Sequence, residues 1–171
     1  MRDYAPDASA LICLDLQRER LVAEGATITV AACQRVLDQA RWRRWPVLHV
    51  HRPAAPLTGG LPIPGLEPLP SEAVFLRQGP SAFTNRTFSQ TVQVLGGPLV
   101  LIGFSLSDTV LATAFAAADR ALEVDIIPDA VGGDPAILLK PLTALTPWAR
   151  VKSFRDLFFE DASRFAAANM P

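Results

Sequence analysis

Positions 99–131 read LVLIGFSLSDTVLATAFAAADRALEVDIIPDAV, and this stretch decides the fold. It begins with a short apolar run at 99–103, which is typical of a strand buried on both faces of a sheet. A helical pattern follows over about 107–122, and a second apolar run covers 124–127. A strand, a helix and a second strand in this order predict a parallel β-α-β unit.

The same alternation extends outward on both sides of this unit. An apolar stripe predicts a helix from about 27 to 44. A last helix is predicted with one face formed by Phe154, Leu157, Phe158, Asp161 and Phe165. The remaining strands are predicted at 10–14 (ALICL), 47–51 (VLHVH), 73–76 and near 149–152. We therefore expect one α/β domain over 1–171, with a mainly parallel six-stranded sheet between helix layers and the Rossmann-like order 3-2-1-4-5-6.

Residues 52–72 interrupt the alternation. They contain six of the fifteen prolines and three of the ten glycines, which excludes a regular helix or strand. A loop of this length in a compact domain is usually either functional or disordered. Because apolar side chains recur along it, we expect an ordered flap that packs over part of the domain rather than a free linker; they are Leu57, Leu61, Ile63, Leu66 and Leu69.

Composition excludes several classes of protein. The chain has 171 residues and a net charge of −1, so it lacks the strong positive charge of a nucleic-acid binder. The one dense basic cluster, Arg41, Arg43 and Arg44, falls where a helix should end and cations complement the helix dipole. No apolar stretch reaches the roughly 18 residues of a transmembrane helix, and the start is not typical of a signal peptide. We expect a soluble cytoplasmic protein with no membrane or nucleic-acid partner.

Ligands of open parallel sheets bind beyond the carboxyl ends of the strands, where the strand order reverses. Asp15 ends the first predicted strand, His51 ends the second, and Arg77 follows the third. Gly103 and the turn at 105–109 follow the fourth. If the first and fourth strands are neighbours, Asp15 and this turn face one crevice. An aspartate at this place either accepts backbone hydrogen bonds or moves protons, and the sequence leaves both open.

Three segments carry a resemblance to a known family: ALICLDLQRE at 10–19, RQGPSAF at 77–83 and the quoted stretch at 99–131. In this order they resemble the isochorismatase-like cysteine hydrolases. The resemblance implies a six-stranded parallel sheet, homodimers or larger homo-oligomers, and an Asp-Lys-Cys triad that acts on small amides or carbamoyl compounds. A branch without the cysteine hydrolyses the vinyl ether of isochorismate, with the aspartate as the acid.

Only one position of the family triad is unchanged here. Asp15 keeps the aspartate of the D-x-Q motif, Arg77 stands where the family has its lysine, and Thr109 stands where it has its cysteine. A threonine hydroxyl is far less acidic than a thiol and needs a base. Arg77 keeps the positive charge but cannot release a proton. We expect Asp15 to activate Thr109 or a water, and Arg77 to orient the substrate. Thr109 is alternatively a hydroxyl that contacts substrate or stabilises its helix.

Six further residues are predicted to contact a small-molecule substrate: Gln17, His51, Ser81, Phe83, Ser105 and Asp108. The backbone N–H groups near Asp108 and Thr109 could form an anion cradle at a helix start. Nicotinamidase-type relatives draw metal ligands from an Asp-x-His motif, which His49 and His51 do not complete. We expect no metal or cofactor. Cys13 and Cys33 are expected to be packing residues.

Two functions from different classes remain open. The first is a hydrolase of a small amide, carbamoyl or vinyl-ether compound with an atypical Asp15, Arg77 and Thr109 site. The second is a catalytically inactive relative, a pseudoenzyme, that binds a small carboxylate or carbonyl ligand or serves as a subunit of an assembly. Phe158, Phe159 and Trp148 could form an interface patch or belong to the core.

Overall fold

Six parallel strands form one sheet in the order β3-β2-β1-β4-β5-β6, which confirms the predicted order. The computed structural model describes residues 9–22, 26–53, 60–132, 143 and 147–160. The strands are β1 Ala10–Leu14, β2 Val47–His51, β3 Ala73–Leu76, β4 Leu99–Phe104, β5 Val124–Gly132 and β6 Arg150–Val151. β1 and β4 are buried along their whole length, which explains their uninterrupted apolar sequence.

Helices cover both faces of the sheet. The helices are α1 Ala26–Trp42, α2 Arg86–Leu95 and α3 Leu111–Ala118. Buried side chains of α1 pack with Leu11 and Cys13 on one face, while those of α2 and α3 pack with Ile12 and Leu14 on the other. Alternate residues of β1 therefore belong to two separate cores, and the three-layer α/β/α architecture follows.

Helix α2 is absent from the sequence-based prediction. Its boundaries have clear signals, since the Asn85 side chain accepts a hydrogen bond from the Phe88 N–H and Gly96 ends the helix at φ +69°. Phe88 and Val92 are buried, and the partly buried Leu95 packs against the same core. These residues recur at spacings of four and three, so a short amphipathic stripe was present in the sequence and the prediction overlooked it.

The segment between β4 and β5 also differs from its prediction. The single helix expected at 107–122 is a π-helical turn, Leu106–Val110, followed by the shorter α3. Strand β5 continues well past 127, because its pairing with β4 shifts register between Leu101 and Gly103. The turn and the helix together place residues 105–110 directly after the buried strand β4.

The chain beyond β5 is described only in part. The last described element is a π-helical turn, Asp156–Glu160, while Asp161 and Phe165 of the predicted helix lie outside the described residues. Phe158 is a core residue at 1% exposure, whereas Phe159 and Trp148 are more than half exposed. Among the described residues, no helix is long and apolar enough to cross a membrane.

Gly103 allows β4 to approach the end of β1. Its φ is +133°, and a Cβ at this position would lie 1.9 Å from the Leu14 carbonyl oxygen. No side chain can be accommodated at that distance. Glycine at 103 thus sets how closely the end of β4 lies beside the residue that precedes Asp15.

The described part of the Pro-rich segment, 60–72, packs on the α1 side of the sheet. Ile63 and Leu66 are buried in that core. The Arg18 N–H donates to the Leu61 carbonyl, and the Ile63 N–H donates to the Leu16 carbonyl, both at 3.0 Å. The segment is therefore hydrogen-bonded to the chain that follows β1. Residues 54–59 of the expected flap lie outside the described part.

Glu72, at the end of this segment, is hydrogen-bonded to side chains of α1 and β2. Its carboxylate accepts hydrogen bonds from Arg41 at 2.8 and 2.9 Å, from His49 Nε2 at 3.0 Å and from the Leu69 N–H at 2.9 Å. Arg41, predicted to complement the helix dipole, is thus ion-paired. Burial raises the pKa of Glu72, but these hydrogen bonds outweigh burial and lower that pKa to about 2.

We expect Gly103→Ala to lower the free energy of unfolding by about 3 kcal/mol or more, because the added Cβ collides with backbone. Gly96→Ala is the matched control, since Gly96 also has a positive φ but an added Cβ there meets no atom within 4 Å. The control should lose about 1 kcal/mol. Urea unfolding of both variants measures the difference, and equal losses would contradict the steric role of Gly103.

We expect Glu72→Gln to lower the free energy of unfolding by about 2 kcal/mol at pH 7. The folded-state pKa is depressed, so the stabilisation is complete above pH 4.5 and is lost as pH falls towards 2. The difference between wild type and variant should therefore shrink over that interval. Glu123→Gln, which breaks an exposed ion pair with Arg150, should cost less than about 1 kcal/mol in the same urea series. A pH-independent difference would refute the linkage.

Candidate active site

Asp15 lies at the carboxyl end of β1 with its side chain fully buried. Its backbone is left-handed, at φ +51°, and its N–H donates to the Val50 carbonyl at 2.9 Å. An aspartate in this backbone region is uncommon and marks a constrained position. The bend ends strand pairing and leaves a carboxylate beneath the loops at the carboxyl edge of the sheet.

Arg77 binds this carboxylate with two nitrogens. Its Nε lies 3.1 Å from Asp15 Oδ1, and its Nη2 lies 2.8 Å from Oδ2. Its remaining terminal nitrogen, Nη1, donates to the Gly79 carbonyl at 2.7 Å. The backbone N–H of Arg77 donates to the His51 carbonyl, which continues the pairing of β3 with β2. Arg77 is buried and is held at all these points.

Thr109 completes the trio predicted from the sequence. It lies in the π-helical turn after β4, is fully buried, and donates its Oγ1 hydroxyl to Asp15 Oδ2 at 3.0 Å. Arg77 is 62 residues from Asp15 along the chain, and Thr109 is 94 residues from it. Two distant segments thus meet at the Asp15 carboxylate. A hydroxyl, a carboxylate that can take its proton and a cation that orients the carboxylate form the arrangement of an activated nucleophile.

Arg20 is a fourth member that the sequence-based prediction missed. It lies in a short 3₁₀ helix, Arg18–Val22, and its Nη2 donates to Asp15 Oδ2 at 3.1 Å. The signal was the five-residue spacing from Asp15, which a helical turn folds back onto the carboxylate. Arg20 was not singled out because an arginine in a polar segment usually faces solvent.

The predicted anion cradle is partly occupied by the turn itself. Ser105 has a left-handed backbone at φ +64°, and its carbonyl accepts the N–H groups of Asp108 and Val110 at 3.1 and 3.2 Å. The Asp108 N–H is therefore committed to the turn, and the Asp108 side chain is exposed. Ser105 is partly buried and makes no capping hydrogen bond with its side chain.

Three other predicted contact residues make hydrogen bonds or ring contacts within the protein. The Gln17 side chain donates to the Arg52 carbonyl at 3.0 Å and accepts from the Arg52 N–H at 2.8 Å, so both ends of its amide are paired. The Ser81 hydroxyl accepts from the Phe83 N–H. The Phe83 ring contacts the Phe88 ring and lies under the guanidinium of Arg120. These contacts shape the neighbourhood of the site.

The two histidines of β2 lie on one face, with ring centres 6.1 Å apart. His49 donates to Glu72, while His51 Nε2 is buried and has no hydrogen-bond partner in the described part of the chain. Burial, followed by the charge of His49, lowers the pKa of His51. Residues 9–22, 26–53, 60–132, 143 and 147–160 contain no cluster of three or more His, Cys, Asp or Glu side chains suited to a metal ion.

Neither cysteine is available as a thiolate nucleophile. Cys13 and Cys33 are both buried, and burial raises the pKa of Cys13 well above its ordinary value and that of Cys33 to about 12. The Cys33 thiol donates to the Ala130 carbonyl at 3.2 Å. Both thiols thus remain protonated at neutral pH and pack within the α1-side core.

Comparison with solved structures finds many proteins of the same fold. An isochorismatase from Pseudomonas putida has 28% sequence identity and a TM-score of 0.78, over 89% of this chain and 92% of its own. An isochorismatase family protein from Desulfovibrio vulgaris has 21% identity and a TM-score of 0.83, over 92% of this chain and 99% of its own. N-carbamoylsarcosine amidase from Thermoplasma acidophilum has 22% identity and a TM-score of 0.75, over 85% and 96%. No curated protein matches the chain.

The family model gives the same assignment from sequence. The model described as the isochorismatase domain matches residues 9–136, which is most of the chain and includes Asp15, Arg77 and Thr109. The strand order and the matched segments agree with the resemblance drawn from the three motifs. The chain belongs to the isochorismatase family.

Proposed function

We propose that this protein hydrolyses a small amide or carbamoyl compound, with Thr109 as the nucleophile, Asp15 as the base and Arg77 as the group that orients Asp15. The observation that carries the proposal is the 3.0 Å hydrogen bond from the buried Thr109 hydroxyl to Asp15. A hydroxyl attacks a carbonyl carbon only when a base accepts its proton, and Asp15 is already within hydrogen-bond distance.

The reaction proceeds in two halves. Thr109 Oγ1 bonds to the substrate carbonyl carbon while its proton passes to Asp15 Oδ2. The C–N bond then breaks, and the amine leaves with that proton. Asp15 next deprotonates a water, which cleaves the Thr109 ester, and the proton returns to Oγ1. Arg77 stays on the carboxylate throughout, because its two hydrogen bonds to Asp15 fix the direction of the lone pairs.

Vinyl-ether hydrolysis is less well supported. That reaction requires the aspartate to donate a proton, whereas Asp15 accepts hydrogen bonds from Arg77, Arg20 and Thr109. N-carbamoylsarcosine amidase shares the fold, so carbamoyl compounds belong among the first compounds to test.

A specific observation favours a second candidate, a relative that binds a small carboxylate or carbonyl ligand without turnover. Asp15 Oδ2 accepts three hydrogen bonds, from Arg20, Arg77 and Thr109. A carboxylate oxygen has two lone pairs, so this atom has no free capacity for the Thr109 proton while all three donors remain. Two turnover experiments separate the candidates.

Thr109→Val should reduce kcat/KM by about 10³-fold or more, because it removes the attacking oxygen and keeps the branched shape. Ammonia release measures turnover of small amides and carbamoyl compounds, and pyruvate release measures turnover of isochorismate, whose hydrolysis produces no ammonia. Thr91→Val removes a partly exposed hydroxyl on α2 that, among the described residues, donates to the Thr87 carbonyl, and it should leave turnover unchanged. Intact-protein mass spectrometry should detect an acyl adduct on wild type and none on Thr109→Val. Undiminished turnover by Thr109→Val would exclude Thr109 as the nucleophile.

Thr109→Cys separates a hydrolase from an inactive relative. If the proposal is correct, wild type releases ammonia from at least one compound of the panel. If wild type is silent on every compound and Thr109→Cys is active, the pocket is intact and only the nucleophile is missing, which establishes the second candidate. Both proteins are assayed side by side at equal concentration, with unfolding curves to confirm that each is folded.

A further inference from the structure

The buried charges at Asp15 do not cancel. One carboxylate is bound by two guanidinium groups, and arginine remains protonated at all accessible pH values. In the part of the chain that the structure describes, no carboxylate other than Asp15 is within ion-pair distance of Arg20 or Arg77. Glu19 is exposed, and its carboxylate lies 3.4 Å from the Gly60 N–H. Asp15, Arg20 and Arg77 together therefore carry a net charge of about +1 in largely desolvated surroundings. Such a charge costs free energy unless an anion binds beside it.

The two arginines are held very differently. Arg77 makes two hydrogen bonds to Asp15 and a third to Gly79, with 8% of its side chain exposed. Arg20 makes a single hydrogen bond to Asp15 through Nη2, and 22% of its side chain is exposed. Among the described residues, none accepts a hydrogen bond from its Nε or Nη1. Arg20 is the cation of the pair that can change partner.

A second polar atom without a partner lies at the same edge of the sheet. His51 ends β2 beside β1, and its Nε2 is buried with no hydrogen bond to the described residues. The ring is 7% exposed, and burial favours its neutral form. A buried ring nitrogen normally has a partner, so its unpaired state indicates a ligand that supplies one. The unpaired ring nitrogen points to a polar ligand near Asp15, and the excess positive charge favours a ligand that is anionic.

We infer that Arg20 determines the charge of the substrate by exchanging Asp15 for a carboxylate on the ligand. The inference rests on the proposed function and adds a substrate class to it: small amides or carbamoyl compounds that also carry a carboxylate. The exchange gives Arg20 a partner with which it can form two hydrogen bonds. It also leaves Asp15 Oδ2 with only Arg77 and Thr109, so that oxygen regains the capacity to accept the Thr109 proton. A neutral compound leaves Arg20 on Asp15.

Matched pairs of small ligands test the charge selection without any turnover. Isothermal titration of wild type with benzoate against benzamide, and with acetate against acetamide, compares ligands that differ mainly in charge. We expect each carboxylate to bind at least about tenfold more tightly than its amide. Arg20→Gln should abolish that preference, and Arg20→Lys should restore part of it because the charge returns without the planar fork. Arg35→Gln removes the same charge from an exposed site on α1 and should change nothing.

The same titrations in Thr109→Val separate this inference from the proposed function. Charge selection that persists in Thr109→Val, together with lost turnover, supports both. Charge selection by a wild type that turns over no compound supports the role of Arg20 and overturns only the hydrolase assignment. Equal affinity for carboxylates and amides in wild type, or an unchanged preference in a folded Arg20→Gln, overturns the role of Arg20 whatever the turnover.

Discussion

The charge of the Asp15 carboxylate, placed where water does not reach it, is the constraint on which the rest of the site depends. A buried charge is tolerated only when the fold supplies partners for it. Here the partners come from the chain after β1, from the end of β3 and from the turn after β4. Each of these segments is placed by the parallel sheet, which brings the carboxyl ends of its strands to one edge. The order 3-2-1-4-5-6 places β1 between β2 and β4, so Asp15 is flanked on both sides.

Much of this arrangement follows from sequence alone, because buried strands and topology have strong signals. The apolar runs at 10–14 and 99–103 favoured strands buried on two faces, and Asp15 stood out at the end of the first. Arg77 and Thr109 were singled out because they follow predicted strands and because the family resemblance places triad residues there. What the sequence did not reveal depends on side-chain direction and weak periodicity. Arg20 looked like any surface arginine, the apolar stripe of α2 is only three residues long, and the amide of Gln17 bonds the Arg52 backbone.

The residue types at 77 and 109 determine how the Asp15 carboxylate is held. Arg77 binds Asp15 with two hydrogen bonds in one plane and donates a third to the Gly79 carbonyl, whereas a lysine would present a compact charge with rotatable donors. A cysteine could ionise by itself beside a cation, whereas Thr109 depends on Asp15 for any deprotonation. The proposed chemistry is therefore concentrated on the carboxylate, and under that proposal the number of donors on Asp15 Oδ2 controls whether the Thr109 proton can be accepted.

The meeting of distant segments at Asp15 also has a consequence for the motions of the protein. Arg77 is 62 positions from Asp15 along the chain and Thr109 is 94, so fraying of the loop at 77 would strand a buried cation and fraying of the turn at 109 would remove a hydroxyl donor from the buried carboxylate. Amide hydrogens around the site should therefore exchange with solvent at rates close to those of the central strands. Among the described side chains that bond Asp15, Arg20 is the one that is near in sequence and partly open to water, so it has the most freedom to move. A ligand that approaches Asp15 would therefore displace Arg20 more readily than Arg77 or Thr109.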